Sequence, residues 1–234
     1  MPPKPVFLKV IDISSFTLLL IASAMVFLYA PMEAVMGNVQ RVFYFHVACG
    51  WAGFIGFTAA FVCAIGYLRT GDLKWDIAGL AAVEIGLVFA FINIVSGSIW
   101  ARPIWNTWWT WDPRLVTATI MELIYLAYLM LRQGIGNPAR RARFGAVYAI
   151  LGFISVPLTF FSIRIWSTIH PVVIGSGDPE AKGAFDMTPR MLTTFLFSLF
   201  TFSVLFVDLY WNRIRLGIFG ERIESLKMKA MEEA

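Results

Sequence analysis

Six runs of apolar residues constrain this chain more than any other feature. They fall at about 11–30, 42–68, 77–99, 115–131, 144–163 and 191–211, each close to the roughly 20 residues that a helix needs to cross a bilayer. Within hydrocarbon every backbone N–H and C=O must find a partner in the protein, which leaves helices as the solution for separate segments of this length. The polar remainder is too short to build a second domain. Residues 1–234 are therefore expected to form one all-α polytopic membrane unit with six transmembrane helices. Composition agrees: 59% of the residues are hydrophobic and 15% charged, against about 45–50% apolar in soluble domains. The net charge of +4 does not point to nucleic acid, because membrane proteins carry surplus Lys and Arg that set their orientation. The first apolar run lacks a small-residue cleavage site and reads as a spanning helix.

The basic residues orient the bundle. With the N-terminus on the cytoplasmic side, thirteen of the nineteen Lys and Arg fall in inner segments, and the short loop 132–143 holds four arginines and no acid. Both termini are thus expected to be cytoplasmic. Within the spans, Ala78, Ala82, Gly86 and Ala90 form a small-residue ridge, with Gly50, Gly53 and Gly56 as a second one, and such ridges allow close helix packing in lipid. Cys49 and Cys63 have no metal-ligand spacing and read as small buried apolar residues. Glu84 and Glu122 lie within spans, as functional carboxylates or as protonated groups bonded to a neighbour such as Asn93. Asp208 reads as half of an interfacial ion pair. The tail after 212 is expected to be a short surface helix or frayed. The connection 164–190, with Gly175, Gly177 and Pro179, reads as irregular.

The densest chemistry lies in Trp100–Leu115, which holds five of the nine tryptophans in its first twelve residues. Trp105, Trp108 and Trp109 are spaced to share one helical face, and Asp112-Pro113 supplies an N-cap followed by proline at the first helical position. The spacing predicts a short interfacial aromatic helix in the outer loop between the third and fourth spans, broken at Asp112. Interfacial anchoring accounts for two or three tryptophans, but less readily for five. The only two histidines, His46 and His170, fall on the same outer side by the charge count. Each alone reads as an ordinary interfacial side chain. Together, two neutral imidazoles can take both axial positions of a haem iron, with indoles against the macrocycle and Arg102 and Arg114 for its carboxylates. Zinc fits less well, since no third ligand is evident.

Three segments carry a resemblance. Arg41-Val-Phe-Tyr-Phe-His46-Val-Ala-Cys-Gly-Trp51, the Thr-Trp-Trp-Thr-Trp-Asp-Pro-Arg-Leu core of Trp100–Leu115, and Trp166-Ser-Thr-Ile-His170 resemble the tryptophan-rich WWD superfamily of haem-handling proteins in cytochrome c maturation. Within it the chain is most similar to the haem exporter protein C (CcmC) family. Asn106 stands where that family is expected to have Gly, Pro113 where Ala is common, and Ile165 where an aromatic is frequent. The resemblance implies a haem-delivery factor of the bacterial inner membrane rather than a conventional enzyme, with no catalytic residue. It would hold b-type haem non-covalently and transiently at the periplasmic face and deliver it to a CcmE-like haem chaperone. His46 and His170 would be the axial ligands. Trp105, Trp108, Trp109 and Trp111 would hold the porphyrin, with Asp112 near its edge. ABC transporter-type subunits and a small membrane peptide are the implied further partners. Two alternatives stand beside it: a cytochrome c haem lyase of the same superfamily, and a permease or interaction subunit with no haem site.

Overall fold

The computed structural model describes residues 3–34, 36–170 and 187–232, and the described residues form seven α-helices and no strand. They are α1 (Val6–Ala24), extended by a π-turn at Met25–Tyr29, α2 (Arg41–Thr70), α3 (Leu73–Trp105), α4 (Pro113–Gln133), α5 (Pro138–Gly152), α6 (Ser155–Ile165) and α7 (Pro189–Glu232). With α5 and α6 counted as one broken span, six helices are long and apolar enough to cross a membrane. The chain is an all-α polytopic membrane protein. Gly175, Gly177 and Pro179 lie outside the described residues.

The helix starts follow local chemistry. Asp72, Asp112 and Asn137 each accept a backbone N–H from the first turn of α3, α4 and α5. Pro113 and Pro138 stand just inside two of these helices, where a missing N–H costs nothing. At the end of α2, Gly71 takes a left-handed φ of 69° and its N–H bonds to Tyr67 O at 2.8 Å.

The two small-residue ridges meet each other. A Cβ on Gly56 would stand 2.8 Å from the Gly86 Cα and 3.0 Å from Ala82 O, and one on Gly53 would touch Ala90. This contact joins α2 and α3 along most of their length. Around it Phe57 stacks on Tyr125 with ring centroids 3.8 Å apart, and Phe61 stacks on Phe153 at 4.4 Å. Lipid offers no hydrophobic drive for helix pairing, so backbone proximity and ring packing supply the association.

Ion pairs collect at the end of the bundle that carries the 132–143 loop. Arg132 grips Asp76 through two nitrogens at 2.5 and 2.8 Å. Glu84 pairs with Arg213 at 2.7 and 2.8 Å, so its partner is a cation from α7 and not Asn93. Among the described residues Asp208 has no ion-pair partner, so it does not form the interfacial pair expected. It accepts from Ser15 at 2.5 Å and Asn212 at 2.8 Å, while Lys4 binds Asp12. Glu122 is buried, and its Oε2 has no hydrogen-bond partner among the described residues.

Two further expectations are corrected. The separate aromatic helix between the third and fourth spans does not form: α3 continues through Pro103 to Trp105, and residues 106–112 are not helical. Asn106 takes φ 55°, a left-handed cap that a short polar side chain tolerates, and Arg102 holds it by donating to both Asn106 O and Asn106 Oδ1. Helical spacing among Trp105, Trp108 and Trp109 is therefore not realised. Nor is the tail a separate or frayed segment. α7 runs unbroken for 44 residues, about 66 Å at 1.5 Å per residue, well beyond the bilayer core.

Gly56→Val is expected to destabilise the protein by about 1–3 kcal/mol through overpacking against backbone that cannot move aside. Thermal unfolding in detergent measures it, with Val62→Ala on the exposed face as a nearly neutral control.

Candidate functional site

The site is assembled at the bundle end opposite those ion pairs, where α2 begins, α3 and α6 end, and α4 begins. His46 lies on the second turn of α2. Its Nδ1 stands 2.9 Å from Asn93 O and 3.2 Å from Ser96 Oγ, and Asn93 Nδ2 donates back to His46 O at 2.8 Å. A carbonyl oxygen only accepts, so the neutral ring carries its proton on Nδ1. That leaves the Nε2 lone pair available for a ligand. Gly97 provides the seat: a Cβ there would meet His46 Cε1 at 2.8 Å.

His170 arrives by a different route. The chain leaves α6 at Trp166 and is then held by Asp112. That buried carboxylate accepts from Thr168 Oγ1 at 2.6 and 2.8 Å and from Ile169 N at 3.0 Å, while also accepting Arg114 N at 3.0 Å as the cap of α4. The Thr168 hydroxyl in turn accepts from His170 N at 3.0 Å. One carboxylate thus fixes both a helix start and the segment bearing the second imidazole. Asp112 does not line the cavities beside the histidines; it positions the residues that do.

The two imidazole rings stand 6.4 Å apart between centroids, with planes inclined at 37°. Two imidazoles bound to opposite faces of one metal would place their centroids about 6 Å apart, allowing about 2 Å for each metal–nitrogen bond and about 1 Å from each nitrogen to its ring centre. Among the described residues, no group of three or more His, Cys, Asp or Glu could hold a metal, so a two-imidazole arrangement is the one these side chains offer. Cys49 and Cys63 are free and buried elsewhere.

Two cavities flank the histidine pair, and His46, His170 and Arg114 line both. The first is small, about 50 Å³, and is walled by Trp100, Trp105 and Trp109. The second is about 470 Å³ and largely aromatic, with Trp51, Phe54, Phe160, Phe161, Phe195 and Leu199 on its walls. This volume falls within the range of small-molecule pockets. Arg114 sits between them with its guanidinium 5.2 Å over the Phe160 ring, donating to Thr159 O.

The structure therefore brings together His46, His170, Trp105, Trp109 and Arg114. Trp108 and Trp111 are 59% and 84% exposed and belong to neither wall, and Arg102 is turned to Asn106. The residue pattern alone did not single out Asn93, Ser96, Gly97 and Thr168 as supports for the histidines, nor Trp100 as a wall. A signal for the first three existed: Asn93, Ser96 and Gly97 interrupt an otherwise apolar span at helical spacing.

These features define a polytopic α-helical membrane protein with a paired-histidine, tryptophan-walled pocket at one end of its bundle. The comparison with known proteins narrows this. Residues 5–229 match the family described as "Heme exporter protein C", and the chain belongs to that family. It is similar to Heme exporter protein C of Bradyrhizobium diazoefficiens, at 31% identity over 85% of this chain and 74% of that one. The Rhodobacter capsulatus protein of the same name is 30% identical over 87% and 83%. That of Escherichia coli is 29% identical over 89% and 82%.

Asp112→Ala is expected to cost about 1 kcal/mol from the lost helix cap alone and to free the 168–170 segment. Hydrogen exchange at the Ile169 amide should accelerate markedly, while exchange within α2 stays unchanged.

Proposed function

We propose that this protein binds haem between His46 and His170 at the outer face of a bacterial inner membrane and delivers it to a periplasmic haem chaperone during cytochrome c maturation. The observation that carries the reading is the imidazole pair, 6.4 Å apart with His46 Nε2 left unprotonated by the Asn93 contact. Haem is the cargo here. His46 and His170 hold its iron on both faces, which blocks side reactions at the metal during transit. Trp100, Trp105 and Trp109 border the macrocycle on one side and the phenylalanine-lined cavity on the other. Arg114, lining both cavities, offers its guanidinium to a haem carboxylate.

Trp108 and Trp111 take a different role in this reading. Their exposed rings offer the chaperone a contact surface beside the haem edge, since large aromatic side chains anchor protein interfaces. The outer placement rests on charge: the loop 132–143, with four arginines and no acid, lies at the end of the bundle opposite the histidines. The names of the relatives support haem as the cargo. Transporter-type subunits and a small membrane peptide complete the proposed assembly.

The purified protein is expected to take up haem with the visible spectrum of a bis-histidine complex. His46→Ala and His170→Ala should each lose or shift that spectrum while still inserting in the membrane; unchanged spectra in both would overturn the axial assignment. A second measurement tests the orientation. In a background with Cys49 and Cys63 replaced by Ala, Trp111→Cys should react with a membrane-impermeant thiol reagent added to intact cells, and Gly136→Cys should react only after lysis. Labelling of both from the same side would refute the outer placement.

A further inference from the structure

The larger cavity beside the histidines is placed deep in the bundle. Its walls include Phe54 on α2 and Phe153 at the junction of α5 and α6. These residues lie 13 positions from Arg41 and 12 from Ile165, about 18–20 Å along their helices, which reaches the middle of a bilayer core about 30 Å thick. The opening comes from the broken fifth span. α5 packs on α2 and α4, then the helix ends at Gly152 and restarts at Ser155, and α6 leans on α4. Thr159 Oγ1 donates to Thr117 O at 3.1 Å and Arg114 donates to Thr159 O, fixing that lean. Between α6 and the α2–α7 pair the cavity remains. Its far wall is held by Trp51 Nε1, which donates to Ser203 Oγ at 2.9 Å and so joins α2 to α7. Phe161 and Trp51 line the cavity and are 56% and 38% exposed, so this aromatic lining is open and not sealed by packing.

We infer that this cavity is a lateral portal through which haem reaches the histidine pair from the outer half of the bilayer. The inference rests on the haem-binding reading above and adds the direction of arrival. Haem has a large apolar macrocycle and two carboxylates, so it partitions into a bilayer with its carboxylates near the headgroups. The portal presents the same order of surfaces: phenylalanines at depth and Arg114 beside the histidines toward the outer end. The tryptophan-walled cavity on the other side, at about 50 Å³, holds a few waters and is too small to pass a macrocycle. The ligand therefore enters from lipid on the phenylalanine side, and the tryptophan side serves as a wall for the bound state.

Haem uptake by the full chain in lipid nanodiscs tests this, followed by stopped-flow absorbance from two sources: haem preloaded in phosphatidylcholine vesicles, and haem carried on serum albumin. Uptake from vesicles is expected to be faster. Two variants narrow the portal from opposite walls, Leu199→Trp on α7 and Phe161→Trp on α6. Each should slow uptake from vesicles on the order of tenfold, a loss read from the rate and not from the final spectrum. An unchanged vesicle rate in variants that retain the spectrum would overturn the portal, as would faster uptake from albumin in the wild-type chain. If the wild-type chain forms no bis-histidine spectrum from either source, the haem reading itself fails, which is a separate result.

Discussion

The close approach of α2 and α3 is the contact on which the rest depends. Gly53 and Gly56 face Gly86 and Ala90 with no room for a further side-chain carbon at the tightest points. That proximity brings the two backbones together, and its consequence appears several turns away. Near the other end of the same seam, Asn93 reaches the main chain of His46 and His46 reaches the main chain of Asn93. A side chain at Gly50 would come within 3.0 Å of the Asn93 amide, and one at Gly97 would strike the imidazole. The seam is one continuous series of small residues, and the end near the start of α2 is shaped around a histidine. In lipid, where apolar side chains gain little from leaving their solvent, such steric fit decides helix pairing. The same fit here sets which imidazole nitrogen carries the proton.

The second histidine needs a different device because it lies beyond the helical frame. A segment outside a helix has backbone donors that require partners, and Asp112 supplies them at Ile169 N while also gripping Thr168. The same carboxylate starts α4, and α4 carries Arg114 into the space between the two cavities. The position of His170 and that of Arg114 are thus set by one side chain. Coupling of this kind favours a fixed ring separation over the loose pair that two independent loops would give.

Legibility in the sequence divides along the same line between local and non-local chemistry. The six spans were readable because hydrocarbon imposes length and composition on each span separately. The caps at Asp112 and the start of α4 at Pro113 were readable because a cap is decided within a few residues. The small-residue ridges were readable as packing surfaces, although not as partners of each other. Misreadings arose where a distant residue decides. Glu84 reads as a functional carboxylate or as a protonated group bonded to a neighbour such as Asn93, because Arg213 lies 129 positions away and nothing local joins Asn93 to His46. The aromatic helix failed for a local reason that pattern cannot weigh: three tryptophans at helical spacing were outvoted by one Asn in the left-handed conformation. The tail reads as a short surface helix or frayed, yet with no proline after Pro189 nothing in it stops α7.

The asymmetry of the pocket bears on what a delivery site requires. A carrier that enclosed its cargo on all sides would bind it well and release it slowly, because affinity differences between related sites are expressed mainly in the off-rate. Here the two walls differ in kind. The phenylalanine side is deep and apolar, with Trp51 and Phe161 partly exposed along it, while the tryptophan side is thin, with Trp108 and Trp111 already outside it. In the proposed reading, iron coordination by two side chains holds the cargo while its periphery is only partly covered. A partner that replaces one imidazole then has to break a single bond on one face and does not have to unpack a core. The support geometry suits that division: His46 is locked between two transmembrane helices, whereas His170 sits on a segment tethered through Asp112 and Thr168. In that reading His170 is the ligand whose movement leaves the bundle intact, so exchange would begin on its side.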